Sequence, residues 1–211
     1  MHAETVHRRA SLRWLSWCLA LGLAGALQPV AAQPADADEF AAQIPMPGSQ
    51  QAWRRVGKAT FQHYFQPYYR AALYLSPSVR QTAEVADALT AYQVEIIWQP
   101  TELAAGEMRA YWRQALREAA GDEDTFGRIE TRAEHWIAQL PAARHGDRWT
   151  FSYLPDAGMT VRINDRPVSR LVGIDFNRSL TRVWFGEAAD PEPRAALLGH
   201  DTATHQPRHA D

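Results

Sequence analysis

Four side chains within seventeen positions have the chemistry to hold an anion: Lys58, Tyr68, Arg70 and Tyr74. If their segment is extended, Tyr68, Arg70, Ala72 and Tyr74 share one face by period two. Tyr69, Ala71, Leu73 and Leu75 then share the other, and Lys58 and Thr60 share a face on the strand before. An arginine flanked by tyrosines suits a carboxylate in a partly dry site, because guanidinium offers a rigid fork of donors and the phenol adds another. A blander reading fits the same residues. Arg70 would stand in water, and the tyrosines would cover the core with their hydroxyls wet.

Other chemistry is poorly provided for. The single cysteine, Cys18, lies in an apolar N-terminal run, so thiolate catalysis, disulfides and cysteine metal sites are not expected of the exported chain. His200, His205 and His209 fall in a polar tail whose spacing constrains nothing, and no metal is assigned to them. Trp98, Trp112, Trp136, Trp149 and Trp184 can stack a flat ligand, but most sit at core spacing and read as packing. No nucleophile elbow, phosphate loop or dinucleotide fingerprint occurs, and no cofactor is expected. A formal net charge of −2 gives no footprint for nucleic acid.

The elements that must position these residues follow from punctuation and period. Arg8, Arg9 and Arg13, the apolar run from Leu15 to Leu27, and Val30-Ala31-Ala32 have the order of a signal peptide cleaved after Ala32, which implies a periplasmic product. Nothing further is long and apolar enough to span a membrane. Residues 33–52 read as an exposed lead-in, 53–199 as one domain and 200–211 as a disordered tail. In the domain, Trp53 to Leu75 is β-rich, and Tyr92 to Trp98 is a compact strand. Thr101 is positioned to cap a helix carrying Leu103, Met108, Trp112 and Leu116 and ending near Gly121. A second helix runs from about Asp124 to Leu140. Trp149 to Leu154 and Met159 to Ile163 are strands, and Asn164-Asp165 supplies a turn of positive φ. Asp175 is placed to cap a last helix carrying Phe176, Leu180, Val183 and Trp184 before Gly186. Strands, then helices, then strands again imply an α+β layer structure with an antiparallel sheet.

This order, with Tyr69 to Tyr74, Val94 to Trp98, Gly146 to Arg148, Asn164 to Pro167 and Trp184 to Gly186 as the closest pieces, resembles bacterial chalcone isomerase-like domains. The resemblance covers roughly Val56 to Gly199. It implies a curved antiparallel sheet packed against helices, with an apolar cleft between them. It also implies one of two activities, ring closure of an enone or the binding of a fatty acid. Plant isomerases carry a Tyr and an Asn seven apart on the long helix and an Arg on an early strand. Placed without gaps, the Tyr and Asn positions fall on Ala105 and Trp112, and the Arg position falls near Gly57, with Arg55 and Lys58 beside it. The missing pair points to a non-catalytic domain that binds an apolar small molecule such as a fatty acid, through Arg70, Tyr68, Tyr74 and Lys58. An enone isomerase with a differently built site, and an envelope interaction protein without a ligand, are the alternatives. The oligomeric state stays open.

Overall fold

Alternation along the strands sorts the sheet into one face that meets helices and one that does not. The computed structural model describes residues 39–45, 51–79 and 82–200. The export segment, Cys18, His205, His209 and the rest of the tail from residue 201 lie outside them. Asp38–Asp211 forms a compact unit of its own. Its elements are β1 (Gln43–Ile44), β2 (Trp53–His63), β3 (Gln66–Leu75), α1 (Ala83–Ala86), β4 (Tyr92–Trp98), β5 (Glu102–Leu103), α2 (Ala105–Ala120), α3 (Glu123–Ala138), β6 (Ala143–Arg144), β7 (Arg148–Leu154), β8 (Gly158–Ile163), β9 (Arg166–Leu171), α4 (Ile174–Phe185) and α5 (Pro191–Leu197). Among the described residues, seven strands make a curled antiparallel sheet in the order β1-β2-β3-β4-β7-β8-β9, while β5 and β6 pair apart from it. The architecture is α+β, with helices on one face of the sheet.

That face is built from every second residue. Tyr69, Ala71, Leu73 and Leu75 on β3, Tyr92, Val94, Ile96 and Trp98 on β4, and Trp149, Phe151 and Tyr153 on β7 enter one apolar cluster with the helices. Met108, Trp112 and Leu116 recur every four residues along α2 and face it; Phe176, Leu180 and Trp184 do the same along α4. The five tryptophans singled out by spacing are all at most 2% exposed, so they pack the core.

Helix starts differ from expectation. Residues Glu102–Leu103 are held in the β5–β6 ladder, so α2 begins after Ala104 rather than at a Thr101 cap. The Glu107 carboxylate accepts the Ala104 backbone N–H at 2.9 Å. Asp175 lies inside the first turn of α4 and not at its cap, Gly173. Its carboxylate takes Arg132 of α3 in a two-pronged pair at 2.9 and 2.5 Å, tying two helices together.

The opposite face is closed by residues expected to be an exposed lead-in. Phe40 is 3% exposed and packs with Trp53, Ala72, Tyr74 and Ile97, because the large apolar rings on that face need cover. Arg148 pairs with Glu95, donates to the Glu39 carbonyl at 3.0 Å and sits over the Phe40 ring.

Candidate functional site

The anion-binding residues expected from the sequence are split by the sheet. Lys58 lies opposite Ala72, and Thr60 opposite Arg70, on the face turned away from the helices. There Arg70 pairs with Glu39, and the Tyr74 hydroxyl donates to the Ala41 carbonyl at 3.0 Å. The chain's own segment thus engages both groups. Tyr68 is on the other side. The ladder pairs Phe61 with Tyr69 but Gln62 with Pro67, leaving Tyr68 as the extra residue of a bulge. A bulge re-aims its side chain, so Tyr68 breaks the period-two alternation and enters the helix-side cluster with its neighbour Tyr69. The expected shared face of Tyr68, Arg70 and Tyr74 does not form.

A cleft opens where the β2–β3 hairpin faces α2 and α4. Its volume is about 170 Å³, and it is open to solvent. β2 contributes Phe61, Gln62 and His63, β3 contributes Tyr69, and α2 contributes Tyr111, Gln114, Ala115, Glu118 and Ala119. Arg182 and Val183 of α4 close the side, with Asp190 at the rim. Two tyrosines, Tyr69 and Tyr111, belong to its wall, and Tyr68 packs against Tyr111 from outside the lining. The Tyr111 hydroxyl donates to the Tyr69 hydroxyl at 3.1 Å, and the Tyr68 and Tyr111 rings lie 4.7 Å apart. The Trp184 indole N–H sits beside the Tyr69 oxygen without closing a full hydrogen bond.

None of these phenols is a base near neutral pH. Burial pushes Tyr68 up to about 12, with the Glu107 charge adding to it. Burial also carries Tyr69 and Tyr111 well above the ordinary value. They can donate and accept hydrogen bonds; they cannot take a proton from a substrate. Arg182 brings a cation to the cleft and is held loosely by Asp87 at 3.7 Å. Two carboxylates, Glu118 and Asp190, line it as well, and Glu118 accepts a hydrogen bond from Gln114 at 2.9 Å.

Sequence reasoning missed Tyr111, Glu118 and Arg182. An ungapped register pointed to Ala105 and Trp112, but Trp112 is wholly buried in the core and Ala105 opens the helix. The turn of α2 that faces the cleft presents Tyr111 and, seven residues on, Glu118. At Gly57 on β2 a further difference appears. An added Cβ there would collide with the Ala196 carbonyl oxygen and stand 2.6 Å from that of Leu197 and 2.9 Å from the Gly199 nitrogen. The end of α5 fills the space a longer side chain would need.

The match to known proteins follows the same boundaries. Residues 50–199 fit the family model described as chalcone isomerase-like. The chain belongs to the chalcone isomerase-like family. Among solved structures, the fatty-acid binding protein AtFAP1 of Arabidopsis thaliana superposes with a TM-score of 0.57 at 11% identity, over 74% of this chain and 96% of that one. Identity this low speaks for the fold alone. No curated protein matches the chain by sequence.

A second cleft of about 520 Å³ lies between α3, β9 and the start of α4. Trp136, Leu171 and Phe176 form its apolar part, and Arg132, His135 and Arg170 are its basic groups. Among the described residues, no cluster of three or more His, Cys, Asp or Glu could hold a metal.

The buried phenols make a prediction about alkali. Tyr68, Tyr69, Tyr74, Tyr92, Tyr111 and Tyr153 are shifted above the ordinary value of 10, with burial the largest cause in each. The folded chain therefore holds protons that the unfolded chain releases near pH 10. Stability should be level up to about pH 10 and fall as the pH rises beyond it. Phenolate absorbance should develop together with the loss of circular dichroism. Full absorbance at pH 11 with the dichroism intact would contradict the buried arrangement.

Proposed function

We propose that this chain is an exported, non-catalytic chalcone isomerase-like protein that binds an apolar small molecule, such as a fatty acid, in the cleft between the β2–β3 hairpin and helices α2 and α4. The observation that carries the reading is the end wall of that cleft. Linked neutral hydroxyls of Tyr69 and Tyr111 stand in a lining of mixed polarity, with Arg182 as its cation. Hydroxyl and guanidinium together suit a carboxylate, while Phe61, Ala115, Ala119 and Val183 suit a chain. The enclosed volume is below the roughly 300 Å³ of a pocket that swallows a drug-sized ligand. Part of a long ligand therefore lies in the open mouth. Likeness to a fatty-acid binding protein supports the class of ligand.

Two features argue against enone ring closure by the plant arrangement, which needs a cation near the phenolate and donors for the enolate. The end of α5 crowds Gly57, near which the resemblance to plant isomerases places an arginine, and seven residues on from Tyr111 stands the carboxylate of Glu118 rather than an amide donor. Chalcone should disappear at its uncatalysed rate. Export rests on the order of the basic, apolar and small-residue regions before Gln33. N-terminal sequencing of the secreted protein tests it.

Calorimetric titration with decanoate and palmitate tests the ligand and the site, with decanol showing whether the acid group matters. Arg182→Met should weaken decanoate binding about tenfold, roughly 1.4 kcal/mol. Arg70→Met should change it less than twofold, since Arg70 is paired with Glu39 across the sheet. A loss confined to Arg170→Met would move the site to the second cleft, whose 520 Å³ makes it the competing location. No heat with any of the three ligands would favour an interaction protein without a ligand.

A further inference from the structure

We infer that the tip of the β2–β3 hairpin is a lipid-docking element: Tyr64 and Phe65 insert at the headgroup level of a bilayer and set the mouth of the neighbouring cleft against the membrane surface. The two residues form a two-residue turn between the paired His63 and Gln66. Their φ angles are 48° and 63°, the left-handed region. Bulky side chains rarely occupy it, and Asn or Gly is the usual choice for both positions of such a turn.

The same molecule supplies the comparison. The β8–β9 hairpin turns through Asn164 and Asp165 at φ of 47° and 65°, between the paired Ile163 and Arg166. The φ angles of the two turns agree to within 2°. At one the residues suit the backbone; at the other they oppose it. Turn formation therefore does not explain Tyr64-Phe65.

Packing does not explain it either. Tyr64 is 83% and Phe65 92% exposed, the two most exposed large apolar residues among those described. Strained backbone that holds aromatic rings in water has no stabilising role within the fold, which points to a role outside it.

The shape of the tip selects the partner. The exposed neighbours Gln62 and Gln66 are polar, and only Pro67 adds a small apolar surface beside the rings. Two rings offer roughly 300–500 Å², short of the roughly 800 Å² that a stable protein partner needs on each side. A bilayer interface requires no matching surface, and a tyrosine beside a phenylalanine suits its boundary, ring in the acyl region and hydroxyl among headgroups. The location agrees. Phe61, Gln62 and His63, which lead into the turn, line the cleft, and the His63 ring lies 4.3 Å from Tyr64 and 5.7 Å from Tyr111. A ring contact path thus runs from the tip to the cleft wall.

The test uses the 38–211 unit, which carries its own core, so that the apolar N-terminal segment cannot anchor it. Its only cysteine can then be an introduced one. Gln66→Cys carrying a nitrobenzoxadiazole label is mixed with vesicles of phosphatidylethanolamine and phosphatidylglycerol, and separately of phosphatidylcholine. Co-flotation with a blue shift of the label is expected. Adding Tyr64→Asn with Phe65→Gly should cut partitioning at least about tenfold while leaving the melting temperature equal or higher, because the new pair suits the turn. Equal partitioning of that variant, a silent label on floated protein, or no flotation with either lipid would overturn the assignment; the last would make the tip a protein-docking element. Ligand titration reads the cleft separately, so failure of one proposal is distinguishable from failure of the other.

Discussion

Trp112→Ala is expected to destabilise the fold by about 4 kcal/mol, within the usual range for truncating a buried aromatic. Trp112 is 0% exposed and lies where α2, α3, α4 and β7 converge. Its ring centroid is 5.3 Å from Trp136, 5.4 Å from Phe151, 6.0 Å from Trp184 and 6.5 Å from Trp149, the last in parallel stacking. Neighbours this large and from three other elements cannot collapse into the space together, so both the transfer loss and the cavity remain. A domain of this size has roughly 5–15 kcal/mol in total, so the variant should sit near its stability limit. Urea unfolding of the wild type and of Trp112→Ala reads the difference. The exposed Val172 serves as control, where Val172→Ala should stay within about 0.5 kcal/mol. A loss below about 1 kcal/mol for Trp112→Ala would show that the aromatic cluster is not the keystone of the layer packing.

Gly57→Arg should cost about 3 kcal/mol or more and should not create catalysis. Backbone atoms of Ala196, Leu197 and Gly199 crowd the position, and backbone cannot swing aside as a side chain can. The substituent is accommodated only if α5 leaves β2, which exposes Leu197, now wholly buried. Hydrogen exchange should show the α5 amides of Gly57→Arg exchanging as in an open segment while β3 and β4 stay protected. Gly57→Ala should show a smaller version, about 2 kcal/mol, because one methyl still meets the same carbonyls. If Gly57→Arg folded with α5 protected and turned over chalcone, the site would be a dormant isomerase site and the non-catalytic reading would fail.

Much of the fold was legible in the sequence because its signals are local. The alternation along β3, β4 and β7 and the four-residue recurrence of Met108, Trp112 and Leu116 each place a residue by counting from its neighbours. Asn164-Asp165 announces its own turn by tolerating positive φ. The tertiary structure decided the rest, for reasons no local count contains. Tyr64-Phe65 turns against its preference because the paired strands on either side hold it there. Tyr68 changes face because β2 and β3 slip register by one residue, and that slip belongs to the pair of strands. Arg70 keeps the face its spacing predicts, yet its partner is Glu39, thirty-one positions earlier, and not a ligand in the cleft. Gly57 carries no signal until α5 arrives from the far end of the chain. The cleft itself is a gap between a hairpin and two helices. Residue identities could name candidates for its walls, and only long-range packing chose Tyr69, Tyr111 and Arg182 from among them.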